Sequence, residues 1–240
     1  MAGHSKWANI KHRKGRQDAL RGKKNTKLIR EITVASREGG ADPKSNPRLR
    51  LAIAKAYTEN VTKDSIQRAI DKGIGHTDGG SFLEVIYEGY GPNGVAILVS
   101  CLTDNRNRTV AEVRHAFTKH GGNLGTDGSV AYLFERVGYL RCRAQGGLDV
   151  CLEALMDLAI DDIDEDVEGD IVVKMSPSIL ADVLGVCEAR GYTILQSDVI
   201  WLAKADVAIS DSTEEALGTL VQALDALDDV QAVFHNAECE

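Results

Sequence analysis

Apolar residues recur at helical spacing in the first third of the chain and in alternating or short continuous runs over the rest. Leu28, Ile32 and Ala35 fall on one face and Gly39-Gly40 supplies a stop, which predicts a helix from about Asn25 to Glu38. Asn46 offers an N-cap and Pro47 a first-turn residue for a second helix, whose Leu49, Ile53, Ala56 and Tyr57 form one face and which ends near Asn60. A third helix starts at Thr62, turns Ile66, Ala69 and Ile70 inward and meets a C-terminal glycine at Gly73. Residues 1–24 show no sustained apolar period and are broken by Gly15 and Gly22, so they read as a flexible arm ahead of a helical domain at 25–75.

Beyond Gly75 the pattern changes. Phe82 to Tyr90 and Val95 to Leu102, joined by Gly91-Pro92-Asn93-Gly94, predict a hairpin. A helix over about 107–120 and a strand at Val130 to Phe134 follow. Residues 136–204 then read strand, helix, strand, strand, helix, strand, the βαββαβ order of a ferredoxin-like unit. The tail, 205–240, offers a short strand, a helix opened by a capping box at Ser212 and Glu215, and a strand from Val230 to His235. One such unit cannot bury its own apolar face. The tail is therefore assigned to a discontinuous α/β domain with residues 76–135, and the ferredoxin-like unit is inserted into it. The fold class is α+β: an N-terminal three-helix domain followed by two α/β sandwich domains, one inside the other.

Charge changes the picture more than composition does. The formal net charge is −8, yet residues 1–75 hold 18 Lys and Arg against 7 Asp and Glu, a net of +11, while the other 165 residues carry −19. One part of the molecule attracts phosphate and the rest repels it. The first 20 residues hold Lys6, Lys11, Arg13, Lys14 and Arg16 without an apolar run, so neither a signal peptide nor a membrane anchor is read there and a cytoplasmic protein is expected. Five cysteines without a CxxC pair fit neither a disulfide framework nor a zinc knuckle.

Gly89, Gly91 and Gly94 spell GxGxxG, but Val95 to Val99 continue as a strand where a dinucleotide fingerprint needs a helix, so the glycines belong to a hairpin. Asp164, Asp166, Glu168 and Gly169 resemble half of an EF-hand loop, with Met175 where the bidentate carboxylate is due. The acidic stretch from Asp157 to Asp170 reads as a solvated helix end and turn, or as an acidic face that meets a basic partner protein or repels misdocked RNA. P-loop, HExxH and GxSxG motifs are missing. No catalytic residue, cofactor, metal or small-molecule substrate is expected, the alternative being an enzyme with a site between the α/β domains that uses Cys101 or His115. At Thr103 to Thr109 capping side chains and two arginines lead into a helix, which suits either phosphate recognition or simple capping.

Long blocks resemble the YebC/PmpR family: Met1-Ala2-Gly3-His4-Ser5-Lys6-Trp7, Lys27 to Ile32, Asn46-Pro47-Arg48-Leu49-Arg50, Tyr87 to Pro92, Leu102 to Arg108, and Asp229-Val230-Gln231. The resemblance implies three domains without a cofactor or a known enzymatic activity. Bacterial members are DNA-binding transcriptional regulators; others, including the mitochondrial translational activator of cytochrome oxidase, act on ribosomes. A non-enzymatic regulator is expected, binding promoter DNA or ribosomal RNA, with the ribosome as a candidate partner. The candidate contacts are Lys6, Trp7, Lys11, Arg13, Lys14, Arg16, Arg21, Lys23, Lys24, Lys27, Arg30, Arg48, Arg50, Arg106 and Arg108, with Trp7 placed to stack on a base.

Overall fold

The computed structural model describes the backbone of residues 17–75 and 82–239 and the side chains of 24–75 and 82–238. Lys6, Trp7, Lys11, Arg13, Lys14 and Arg16, and with them most of the expected arm, lie outside the described residues, as do the side chains of Arg21 and Lys23.

Three helices open the described chain: α1 (Gln17–Gly39), α2 (Pro47–Thr58) and α3 (Lys63–Gly73). The helix expected from Asn25 begins eight residues earlier, at Gln17, because Gln17, Ala19, Leu20 and Arg21 favour a helix and Gly22 costs only about 1 kcal/mol. Asn46 caps α2 by accepting from the Leu49 N–H at 3.0 Å, and Thr62 caps α3 through Ser65. Ile32, Leu49, Ala52, Ala56, Ile66 and Ile70 form the shared core. Tyr57 is an exception to the expected face and is 52% exposed, since the buried stripe runs through Ala52 and Ala56. At Gly73 helix α3 crosses α1 so closely that a Cβ would collide with Ser36 Oγ and the Thr33 carbonyl.

The discontinuous α/β part consists of β1 (Leu83–Tyr90), β2 (Ala96–Thr103), α4 (Arg106–Lys119) and β3 (Asn123–Leu124), with further elements from the C-terminal tail. Its sheet has the order β3-β1-β2-β9, where β9 (Val230–His235) runs antiparallel to β2. The tail also supplies β8 (Val207–Ile209), paired in parallel with β10 (Ala237–Cys239), and the helix α7 (Asp211–Asp225). Ser210, and not Ser212, precedes α7 as its cap residue, and its hydroxyl sits 3.1 Å from those of Ser212 and Thr213. Ile97, Val99, Phe117, Leu220, Leu224 and Val230 are all fully buried in one core under α4 and α7. Val34 of α1 joins Phe82 and Leu102 in a smaller cluster that packs the helices against this sheet.

Residues 134–204 form a second compact unit. It runs β4 (Phe134–Arg143), α5 (Gly147–Leu155), β5 (Ile160–Glu165), β6 (Ile171–Met175), α6 (Leu180–Ala189) and β7 (Thr193–Ala203). The sheet order is β5-β6-β4-β7, the ferredoxin-like arrangement. The buried thiols of Cys142, Cys151 and Cys187 meet beneath the helices. Val130 to Phe134, expected as a separate strand, is a 3-10 turn at Ala131–Leu133 that leads straight into β4. Glu88 explains the change. Its carboxylate accepts the N–H groups of Gly128, Val130 and Ala131 at 2.6, 2.7 and 2.7 Å, so those donors are not free for a ladder.

Candidate nucleic-acid interface

Of the seven candidate cations with described side chains, four, Lys27, Arg30, Arg48 and Arg108, are held by acceptors of the protein itself where the helices meet the discontinuous α/β part. Asp229, just before β9, is the hub and its side chain is 2% exposed. Its Oδ1 accepts from Arg30 at 2.7 Å; its Oδ2 accepts from Arg108 at 3.0 Å, Thr109 at 2.6 Å and Thr103 at 3.1 Å. Burial alone would push this carboxyl up, but the bonds from Thr109, Arg108 and Thr103 and the Arg30 charge outweigh it and hold the group below its ordinary range. Arg30 also donates to the carbonyls of Asp228 and Leu102 and lies 5.4 Å from the Phe82 ring centroid.

Arg108 divides itself between Asp229 and Asp104, the latter at 2.8 Å. Asn105 caps α4 by accepting from the Arg108 N–H at 3.1 Å, so the capping reading of the Thr103 to Thr109 segment describes the local geometry. A cleft of about 470 Å³ opens beside these groups, and its wall carries the carboxylates of Asp104, Glu112, Asp228 and Asp229 against the guanidiniums of Arg30 and Arg108. Such a wall repels a phosphate more than it attracts one.

Lys27 donates to the Asp225 carbonyl at 3.2 Å. Arg48 is taken up by Glu31 and Glu38, both at 2.7 Å, and by Glu84 of β1. These partners raise the Arg48 pKa although desolvation, the largest single influence, works the other way. Lys24 is largely exposed and touches Glu59 at 3.3 Å. Arg106 is exposed, and Arg50 is half-buried with its Nε unpartnered. Of the described candidates, the exposed Lys24 and Arg106 therefore remain the most available to an outside anion, the Arg50 Nε being enclosed, and Lys27, Arg30, Arg48 and Arg108 do structural work.

Other motifs settle in the same geometry. Gly89 leaves room for the neighbouring chain: a Cβ there would stand 2.7 Å from the Asn123 carbonyl oxygen and 2.8 Å from the Phe117 ring, which accounts for one glycine of the GxGxxG string within an antiparallel hairpin. Arg141 binds Asp166 at 2.7 Å and Glu168 at 3.0 Å, and Arg143 binds Asp170 at 2.8 Å, so arginines engage the carboxylates of the EF-hand-like stretch. Cys101 is buried, its thiol pushed up to about 12 by burial first and then by the Asp229 charge, whereas His115 is exposed on α4. Sequence reasoning missed Asp229 and Glu88 as organising groups. Their only local signal was an acidic residue inside an apolar or glycine-rich context.

Two family descriptions cover nearly the whole chain: the TACO1/YebC protein N-terminal domain over residues 5–76 and the TACO1/YebC second and third domain over 82–237. A probable transcriptional regulatory protein of Methylococcus capsulatus is 55% identical over 99% of this chain and 96% of its own length. A protein of the same description from Neisseria meningitidis serogroup B is 51% identical over 99% and 98%. Among solved structures, a conserved hypothetical protein from Aquifex aeolicus matches with a TM-score of 0.85 and 46% identity over 98% of this chain and 97% of that one. No helix among the described residues is long and apolar enough to cross a membrane.

Proposed function

Because this chain belongs to the TACO1/YebC family, we propose that it is a non-enzymatic cytoplasmic regulator of gene expression that binds nucleic acid through its basic N-terminal region. The observation that carries the reading is the charge partition, +11 over residues 1–75 against −19 over the remainder, in a chain whose relatives are named as regulators of transcription. Lys24 and Arg106, together with the cations of the first 23 residues, are the proposed contacts. Burial of Cys101 supports the non-enzymatic reading, because a thiol of such high pKa is a poor nucleophile.

Ribosomal RNA is a second reading, favoured by α3. The solvent side of that helix interleaves Lys63 and Arg68 with Asp64, and its Gln67 amide is engaged by Asp71 at 2.9 Å, a poor surface for reading base edges in a major groove. A cationic segment that follows backbone phosphates suits an irregular RNA equally well.

The test is a salt titration on matched DNA and RNA probes, with crosslinking in cells to identify the bound species. If about five cations neutralise phosphates, raising salt from roughly 50 to 200 mM weakens duplex binding by about 10²- to 10³-fold. Neutralising Lys11, Arg13, Lys14, Lys23 and Lys24 together flattens that slope. Unchanged affinity and slope in the neutralised protein would remove the N-terminal region as the contact surface.

A further inference from the structure

The inserted unit has a feature that nucleic-acid binding does not use. Strand β5 is the edge of its sheet, with β6 on one side and no strand on the other among the described residues. Beside it, α5 ends at Leu155 and leaves Leu152 42% and Met156 74% exposed. Between helix and strand lies a groove of about 410 Å³, with Leu152, Leu155, Met156 and Leu158 on one wall and Ile160 and Ile163 on the other. Asp161 and Asp162 stand at its rim. Lys174 pairs with Asp162 at 2.8 Å, while Asp161 is exposed and its carboxylate has no hydrogen-bond partner among the described residues.

Edge strands present unpaired backbone donors and acceptors, and proteins protect them with bulges and charge. Both devices are present: the pairing register shifts between Ile160 and Asp162, and β5 reads Ile-Asp-Asp-Ile-Asp-Glu. Four carboxylates in six residues set a selection rule, because like charges opposed across a strand pair destabilise it and opposite charges stabilise it. A second copy of the chain would bring β5 against β5, acid against acid. An extended segment with basic residues on one side and aliphatic residues on the other meets complementary groups on both, its cations at the aspartates and its apolar side chains in the groove.

We infer that the groove between α5 and β5 is a docking site for an extended, lysine-rich amphipathic segment of a partner protein. That segment adds to the sheet as a fifth strand.

The test uses the full chain and a labelled nine-residue peptide of alternating lysine and valine, read by fluorescence anisotropy. Two comparators are a peptide of the same composition with its lysines and valines in separate blocks, and a lysine-only peptide. The alternating peptide should bind roughly tenfold more tightly than either, and Met156→Lys and Asp161→Lys should each weaken it roughly tenfold. Both positions are exposed, so circular dichroism should match that of the unaltered protein. Hydrogen exchange of the β5 amides should slow on binding. Equal binding of all three peptides would reduce the interaction to general electrostatics and overturn the proposal, as would unchanged binding in the two variants. Sedimentation showing a dimer that Met156→Lys dissolves would give the groove to a second copy and overturn it too. Neutralising the N-terminal cations should leave peptide binding intact, so this result and the nucleic-acid result fail independently.

Discussion

Asp229→Asn keeps the shape of the side chain, removes its charge and replaces one acceptor oxygen by an NH2 donor. Whichever oxygen is replaced, the new NH2 is set against a guanidinium that can only donate, Arg30 at Oδ1 or Arg108 at Oδ2, although the Thr109 and Thr103 hydroxyls beside Oδ2 can turn to accept. Removing one partner of a fully buried ion pair costs about 3–5 kcal/mol, and a hydrogen bond to a charged group is worth about 1.5–3 kcal/mol. Two features lower the expected cost. Arg30 keeps the carbonyls of Leu102 and Asp228, and Arg108, with its side chain 45% exposed, keeps Asp104 and water. A loss of about 2–4 kcal/mol follows, equivalent to a fall in melting temperature of roughly 5–15 °C for a unit of this size.

Thermal and urea unfolding of both proteins at neutral pH measures the difference. The pH dependence gives an independent check. The folded carboxyl titrates below its unfolded counterpart, so the stabilisation it provides is complete above the unfolded value and disappears as pH falls through the folded one. The gap between the two proteins should therefore narrow below about pH 4. A loss under about 1 kcal/mol at neutral pH, or a gap that does not change down to pH 3, would refute the assignment of Asp229 as the ionised hub of the junction.

Glu88→Gln should release the turn ahead of β4, accelerating amide exchange at Gly128, Val130 and Ala131 by roughly 10- to 100-fold, as a loss of about 1.5–3 kcal/mol of local stability requires; unchanged exchange would show that the carboxylate does not hold the turn. Arg48→Ala should lower the melting temperature while leaving the salt slope of nucleic-acid binding unchanged, because its guanidinium serves Glu31, Glu38 and Glu84; a flatter slope at unchanged stability would return Arg48 to the contact surface.

What could be read in the sequence was what is decided locally. The caps at Asn46 and Thr62 act over three residues, and the strand that follows the GxGxxG string marks its glycines as part of a hairpin. The βαββαβ order and the orphaned tail helix sufficed to place one α/β domain inside another, because an apolar face must be covered by something. Long-range capture was invisible. Glu88 takes the N–H groups of a segment about forty residues later and turns a plausible strand into a 3-10 turn. Asp229 draws in Arg30 from 199 positions away and Arg108 from 121, so two of the cations expected to meet phosphate are engaged by an acceptor of the protein itself. A one-sided charge count tells how many cations a segment has, but not which of them the fold will consume.

The pairing of β9 with β2 also sets a timetable for the newborn chain. Strand β2 leaves the ribosome with β1, but its other neighbour lies beyond the entire inserted unit, at Val230–His235. At about 5–20 residues per second, synthesis takes on the order of ten seconds to cover that gap. Residues 134–204 hold all four strands of their own sheet and can fold during the wait. Throughout it, one edge of β2 and apolar residues such as Ile97 and Val99 stand open, so chaperone capture and misassembly concentrate in this interval, and a chain cut short before β9 leaves the surrounding sheet unfinished.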